Sequence, residues 1–350
     1  TASGVSLWES SETTAGNMGQ VLGRPILANV QGTSNAAVVF GNGVNSSHDR
    51  AVLVVLNAET GAVIREIDTG AGSSSAPNGL SAPTGVYGPD GKTLAYVYAG
   101  DMLGNVWKFD LTNASAAAWT ATRLFTAQDA AGKAQPISAG VTVATHPWNN
   151  KRWVFFGTGR YLTTEDADSS NVNVQSMYGF IDSGTAVSRS ELTQRTVQVT
   201  SGTSSGYPVR AFQGKTSLPA GSKGWYIDLP EAGERIVQDA QVVSSFLLTA
   251  SMIPTGNACD ADGRGYINAL DAFTGTSAGS SYFDLDKNSS TNDTVNNLPV
   301  GSVDAGVGMP TLPNLMRGVM LVAGSNGEIV AVPTIPPRWE RVSWRDLKGD

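Results

Sequence analysis

Four runs along the chain share one pattern: several apolar residues, then glycine, then a small polar residue. They are VVFGN (38–42), YVYAGD (96–101), WVFFGT (153–158) and MLVAGS (320–325). Their glycines, Gly41, Gly100, Gly157 and Gly324, are spaced by 59, 57 and 167 residues, the last close to three times 56. Each run is short, β-branched and aromatic, which suits a strand rather than a helix. The clearest copy, YVYAGDMLGNVWKFDL (96–111), reads as strand, tight turn, strand. A unit of this size cannot bury both of its faces alone, so copies must stack on one another.

The interval between Gly157 and Gly324 should hold two weaker units, for which GWYIDL (224–229) and SSFLLTASMIP (244–254) are candidates. Several strands end in Asp or Asn and close with Gly: VLNAETG (55–61), GFIDSG (179–184) and INALDAFTG (267–275). Asp and Asn fold back onto the backbone and Gly accepts positive φ, so the chain can reverse there. Together these features predict an all-β chain, a modified β-propeller over residues 1–335. At ~40–50 residues per blade, about seven blades are expected. An open sandwich or two smaller β domains is the competing architecture. Glycine/serine/threonine-rich tracts at 70–85, 163–176, 199–223 and 276–305 read as insertions. The best helical candidate is short, around residues 112–122. The last residues, 336–350, leave the repeat at Pro336-Pro337 and are expected to pack on the propeller as a tail.

Composition agrees: 40 of 350 residues are glycine, above the usual ~7%, and 15% are charged, below the usual ~25%. A net charge of −7 and no basic stripe argue against a nucleic-acid partner. No apolar run reaches the ~18 residues of a membrane span. The chain opens without a basic region and apolar run, and Trp8 already lies in a strand-like VSLWE run. The expectation is a segment of a longer protein, with any export signal upstream. The single cysteine, Cys259, has no disulfide partner in the chain and lacks the companions of a metal site. The weakly charged, small-polar composition leans towards an extracytoplasmic location.

Catalytic motifs are nearly absent. His48 and His146 are far apart in turn-like contexts and read as loop residues. G-x-S-x-G occurs at 202–206 and at 275–279, but in polar tracts without the strand-to-helix setting of a nucleophile elbow. Trp107, Trp153, Trp225, Tyr226 and Phe246 fall within strand units and are assigned to the core. Asp101 is assigned to a strand-end turn. FDLDKNSSTND (283–293) is the one candidate metal loop. It places Asp284, Asp286 and Asn288 at alternate positions, with Ser290 and Asp293 following. Hard Ca²⁺ takes six to eight oxygens, and alternating Asp/Asn can supply them from a short loop. Ser289 and Val295 stand where an EF-type loop has Gly and Glu, so a solvated acidic loop is the alternative.

Several stretches in order resemble the C-terminal domain of the PilY1 (PilC-like) proteins of type IV pilus biogenesis and tip adhesion. They are VVFGNGVNS with LVVLNAETG, NGLSAP (78–83), YVYAGDMLGNVWKFDL and VFFGTGRYL (154–162). GWYIDLPEAGERIV (224–237), the stretch from Pro254 to Cys259, and RVSWRDL (341–347) complete the series. The resemblance implies a non-enzymatic propeller of a secreted protein, at the cell surface or pilus tip. It implies roles in pilus assembly against retraction, twitching motility and adhesion. Minor pilins and a host or abiotic surface would be the partners. Members often carry a calcium loop, D-x-N-x-D-G-x-x-D, just before the Y-A-G-D strand. The corresponding stretch here, YGPDGKTLA (87–95), keeps Asp90-Gly91 and lacks the first, third and last ligands. Two other propeller functions are alternatives. A quinoprotein-like dehydrogenase would share the Asp/Asn-x-x-Thr-Gly turns, but the basic residues Arg65, Arg123, Arg160 and Arg195 are scattered. A lectin-like propeller would bind carbohydrate.

Overall fold

A computed structural model of the chain describes residues 8–33, 36–168, 173–255 and 263–334. The expected tail, 336–350, and Cys259 lie outside the described residues. The first eight strands form two four-stranded antiparallel meanders. One contains β1 (Ile26–Asn29), β2 (Ala36–Gly41), β3 (Val52–Asn57) and β4 (Val63–Asp68). The next contains β5 (Thr84–Tyr87), β6 (Leu94–Gly100), β7 (Asn105–Asp110) and β8 (Thr120–Thr126).

The following strands are shared between two larger sheets. In chain order they are β9 (Thr142–Thr145), β10 (Arg152–Gly157), β11 (Ser176–Ile181), β12 (Thr193–Arg195), β13 (Val197–Ser204) and β14 (Tyr207–Phe212). Then come β15 (Gly224–Asp228), β16 (Gln241–Val243), β17 (Phe246–Pro254) and β18 (Gly263–Asp271). A hairpin follows, β19 (Thr294–Val295) and β20 (Leu298–Pro299), and then β21 (Ser302–Val303). The third sheet runs β9-β10-β11-β15-β12 and the fourth β16-β17-β18-β21-β14-β13. The last sheet is β22 (Asn314–Met316), β23 (Val319–Ala323) and β24 (Ile329–Pro333).

The sheets stack in series because their inner strands are apolar on both faces. In β3, Leu53 and Val55 join Val97, Trp107 and Phe109 of the second sheet. The alternate residues Val52, Val54 and Leu56 face Ala15 and Trp8 on the other side. Period-2 alternation thus sends successive residues into two different cores. The second and third sheets meet through Phe125, Phe156, Tyr178 and Phe180. The third and fourth meet through Phe155, Trp225, Phe212 and Leu247, and the fourth and fifth through Leu248, Ile267, Met320 and Val332. Trp107, Trp153 and Trp225 are buried, and Tyr226 and Phe246 are half-buried against the same cores.

Gly41, Gly100 and Gly157 mark where one sheet receives the chain entering the next, and Gly324 meets the segment that enters its own sheet. A Cβ on Gly41 would lie 2.1 Å from the Ser81 carbonyl oxygen, and one on Gly100 would lie 2.3 Å from Ile137 Cγ2. One on Gly157 would lie 2.3 Å from Ile236, and one on Gly324 would lie 2.0 Å from the Val307 carbonyl oxygen. Only glycine allows so close an approach. The small polar residue that follows Gly41 or Gly157 then accepts backbone amides, from the crossing segment at Leu80 and from the neighbouring strand at Val52 and Ser176. Asn42 Oδ1 accepts from the Val52 and Leu80 amides, and Thr158 Oγ1 accepts from the Ser176 amide.

The described residues form five sheets of three or more strands, so the expected seven blades are not confirmed. The interval from Gly157 to Gly324 supplies one new sheet rather than two. GWYIDL becomes β15 and joins the third sheet, paired antiparallel with β11 and parallel with the edge strand β12. Only 244–254 founds a sheet, as β17, and β17 carries no glycine. The expected helix near 112–122 is also absent: a single 3₁₀ turn, Ala116–Ala118, leads into β8. A three-alanine stretch cannot recover the cost of helix nucleation, and the threonines beyond it pair with β7.

Candidate metal centre

In the run Phe283-Asp284-Leu285 all three residues are buried, and the two apolar residues anchor in the core between the fourth and fifth sheets. The Asp284 amide donates to the Pro333 carbonyl at 3.0 Å, and Phe283 bridges Thr334, so the run extends the edge of the fifth sheet beyond β24. Lys287 and Ser289 then adopt left-handed φ of 58° and 63° and turn the chain back. Asp293 returns to Leu285, whose amide donates to its Oδ2 at 2.8 Å. Ser204, the last residue of β13, donates to Asp293 Oδ1 at 3.5 Å.

This path brings together three of the four predicted ligands. Asp284, Asp286 and Asp293 each place a carboxylate oxygen within 4.8 Å of the others. Asp284 and Asp293 are buried and Asp286 is exposed. Asn288 lies beside them, with its amide nitrogen donating to Asp286 Oδ2 at 2.7 Å and Asn292 Oδ1 at 3.1 Å. The cluster is electrostatically uncomfortable. Burial, then the Asp286 and Asp284 carboxylates, push the Asp293 carboxyl above its ordinary range, against the opposing pull of the Leu285 amide and the Ser204 hydroxyl. Asp284 Oδ2 accepts from the Ser289 amide, but its Oδ1 is buried with no hydrogen-bond partner. Among the described residues, no Lys or Arg forms an ion pair with any of the three. Ser204 could not be found from the sequence, because it lies 89 residues from Asp293.

The remaining sequence candidates are dispersed. His48 is exposed beside Ser47, and His146 packs on the Phe273 ring at 4.5 Å. The first G-x-S-x-G is the β13–β14 turn, with Ser205 and Gly206 at positive φ. The second follows β18, and its Gly275 sits against the Trp225 indole. Arg160 pairs with Asp166, whereas Arg195 is buried and donates to the carbonyls of Thr274, Thr216 and Ser217. Arg65 and Arg123 lie on β4 and β8 of different sheets.

The PilY1 beta-propeller domain family matches residues 9–204, more than half of the chain. The chain belongs to the PilY1 β-propeller domain family. It is 33% identical to the type IV pilus biogenesis factor PilY1 homolog of Xylella fastidiosa, over 97% of this chain and 28% of that protein. It is 28% identical to the type IV pilus biogenesis factor PilY1 of Pseudomonas aeruginosa, over 98% of this chain and 34% of that protein. The chain therefore spans about a third or less of the length of these relatives. Its structure matches the crystal structure of the P. aeruginosa PilY1 C-terminal domain with a TM-score of 0.79 and 27% identity, covering 93% of this chain and 74% of that one.

In the loop at 87–95, Asp90 caps a turn of its own chain. Asp90 spends both oxygens on its own turn: Oδ1 accepts from the Lys92 and Thr93 amides, each at 3.0 Å, and Oδ2 accepts from Thr93 Oγ1 at 2.5 Å. The Thr93 hydroxyl, helped by these amides, lowers the Asp90 carboxyl to about 2. The PilY1-like Y-A-G-D aspartate, Asp101, is fully buried and serves the same end inside the fold. Its Oδ1 accepts from the Leu103 and Asn105 amides, and its Oδ2 from Asn78, Asn105 and Trp107 side chains. No described helix is long and apolar enough to cross a membrane.

Proposed function

We propose that this chain is the propeller domain of a type IV pilus biogenesis factor. It acts outside the cytoplasm, at the cell surface or pilus tip. There it supports pilus extension against retraction, and with it twitching motility and adhesion. Its partners are pilus subunits at the tip and a host or abiotic surface. The observation that carries this reading is the 33% identity over 97% of the chain to a protein named as a pilus biogenesis factor. The domain works by binding rather than catalysis. In support, the two histidines lie in separate loops, the G-x-S-x-G matches are turns, and the four arginines of a would-be quinone site are dispersed over the sheets.

The test is an in-frame deletion of the propeller from the full-length protein in the parent bacterium, with export of the remainder checked by immunoblot. Surface pili counted by electron microscopy, and the twitching zone, should both fall sharply. Wild-type piliation and adhesion with the domain gone would overturn the proposal.

A further inference from the structure

We propose that Asp284, Asp286 and Asp293 form a calcium site that staples the outer edge of the fifth sheet to that of the fourth. This goes beyond the pilus reading and does not depend on it. The geometry is the first reason. Oxygens bound to one Ca²⁺ at 2.3–2.6 Å can lie up to roughly 5 Å apart. The three carboxylates meet that limit, with one oxygen from each lying within 4.8 Å of the others. The second reason is the buried Asp284 Oδ1, which has no hydrogen-bond donor. Asp284 is only 8% exposed, so bulk water cannot solvate that oxygen freely. Buried carboxylate oxygens in folded proteins are almost always satisfied by a donor or a cation. No lysine or arginine pairs with the cluster among the described residues.

The donor set selects the metal class. All three are carboxylates, which favour hard cations over zinc or copper. The loop is irregular, and Asp286 opens to solvent, which leaves room for the waters that complete a Ca²⁺ shell. Mg²⁺ demands a stricter octahedron and gives up its own water reluctantly.

The location gives the ion its role. Asp284 is tied through its amide to Pro333, the last residue of β24. Asp293 is approached by Ser204 at the end of β13, the outermost strand of the fourth sheet. Within the loop, the Leu285 amide donates to Asp293, the Ser289 amide to Asp284, and the Asn288 amide and side chain to Asp286. An ion here links two sheets whose outer edges otherwise share little backbone pairing.

The experiment uses the full chain after EGTA stripping, titrated with CaCl₂ by calorimetry and followed by thermal melting. One saturable site should appear, with Kd in the range of about 10⁻⁵ to 10⁻³ M expected of sensor to extracellular sites. Saturation should raise Tm by about 2–5 °C. Asp286→Ala removes an exposed side chain, so its metal-free Tm should stay within about 1 °C of wild type. Its calcium affinity should fall at least tenfold. Asp284→Asn should abolish the calcium response and keep or raise the metal-free Tm, because a repelling charge is gone. Absence of heat and of a Tm shift at about 10 mM calcium, beyond the weakest range above, would overturn the site. So would an Asp286→Ala variant that responds like wild type, or an equal response to MgCl₂.

Discussion

Trp107 donates its indole N–H to Asp101 Oδ2 at 2.8 Å, across the turn that joins β6 to β7. Both side chains are buried, and the carboxylate also collects the side-chain amides of Asn78 and Asn105 and two backbone amides. A single aspartate thus closes its own turn, orients a core tryptophan and fixes the segment that leads into β5. Asp101→Ala leaves several buried donors without an acceptor. It should cost about 3–5 kcal/mol, read from the urea midpoint of unfolding. A loss under about 1 kcal/mol, the size of an ordinary exposed substitution, would show that the network is dispensable.

Gly100 and Ile137 form the contact between the second sheet and the chain entering the third. An alanine methyl would sit 2.3 Å from Ile137 Cγ2, and Ile137 is fully buried. Gly100→Ala should therefore destabilise by about 1–3 kcal/mol through overpacking. A double-mutant cycle with Ile137→Ala measures the coupling. The pair should cost less than the two single changes added together, because the smaller residue makes room. Strict additivity would place the strain elsewhere.

Acid sensitivity should arise at the junction of the second and third sheets. Asp182 accepts from Lys108 Nζ at 2.7 Å and from the Tyr98 hydroxyl at 2.6 Å. Burial alone would raise its carboxyl, but the Lys108 and Tyr98 hydrogen bonds and the Gly184 amide outweigh it and hold the group below its ordinary range. A lowered folded value means that the stabilisation is complete above the unfolded pKa of ~3.9. It is lost as pH falls through the folded value. Asp182→Asn should cost about 1.5–3 kcal/mol at neutral pH and little in strong acid, measured by urea unfolding across the range. A cost independent of pH would contradict the assignment.

The fourth sheet holds a buried ion pair. Arg210 Nη1 meets Glu234 Oε1 at 2.8 Å, and both side chains are nearly inaccessible. The guanidinium also stacks 3.6 Å over the Tyr266 ring. Glu234→Ala removes the fully buried partner of Arg210, leaving it only the half-buried Glu231, and should cost about 3 kcal/mol or more. Arg264→Ala, at the exposed end of the same network, should cost under about 1 kcal/mol. Thermal melts of the two variants separate the cases, and similar losses would refute the buried character of the pair.

Local chemistry carried much of the fold in advance. Strands ending in Asn57, Asp182 and Asp271 do turn through their own side chains, with Gly61, Gly184 and Gly275 at positive φ. Such turns need only a few consecutive residues. Strand partnership is different. GWYIDL has the same period-2 pattern whether it founds a sheet or joins one, and only pairing with β11 and β12 decided that it joins the third. The count of about seven blades is not confirmed among the described residues, where the large insertions join existing sheets.

The candidate site divides along the same line. Asp284, Asp286 and Asp293 were visible as a spaced acidic run, since carboxylates within one short loop can converge. Their meeting, the position of Asn288 alongside and the unpartnered Asp284 oxygen depend on where the loop is pinned. The pins are Pro333 on one sheet and Ser204 on another. The sequence by itself determined the strand class, the turn chemistry, the glycine repeat and the family likeness, because these follow from residues close in the chain. The tertiary structure decided the number of sheets, the sheet that each strand joins and the closeness of the three carboxylates. Those rest on hydrogen bonds and packing between residues far apart in sequence, which no local pattern encodes.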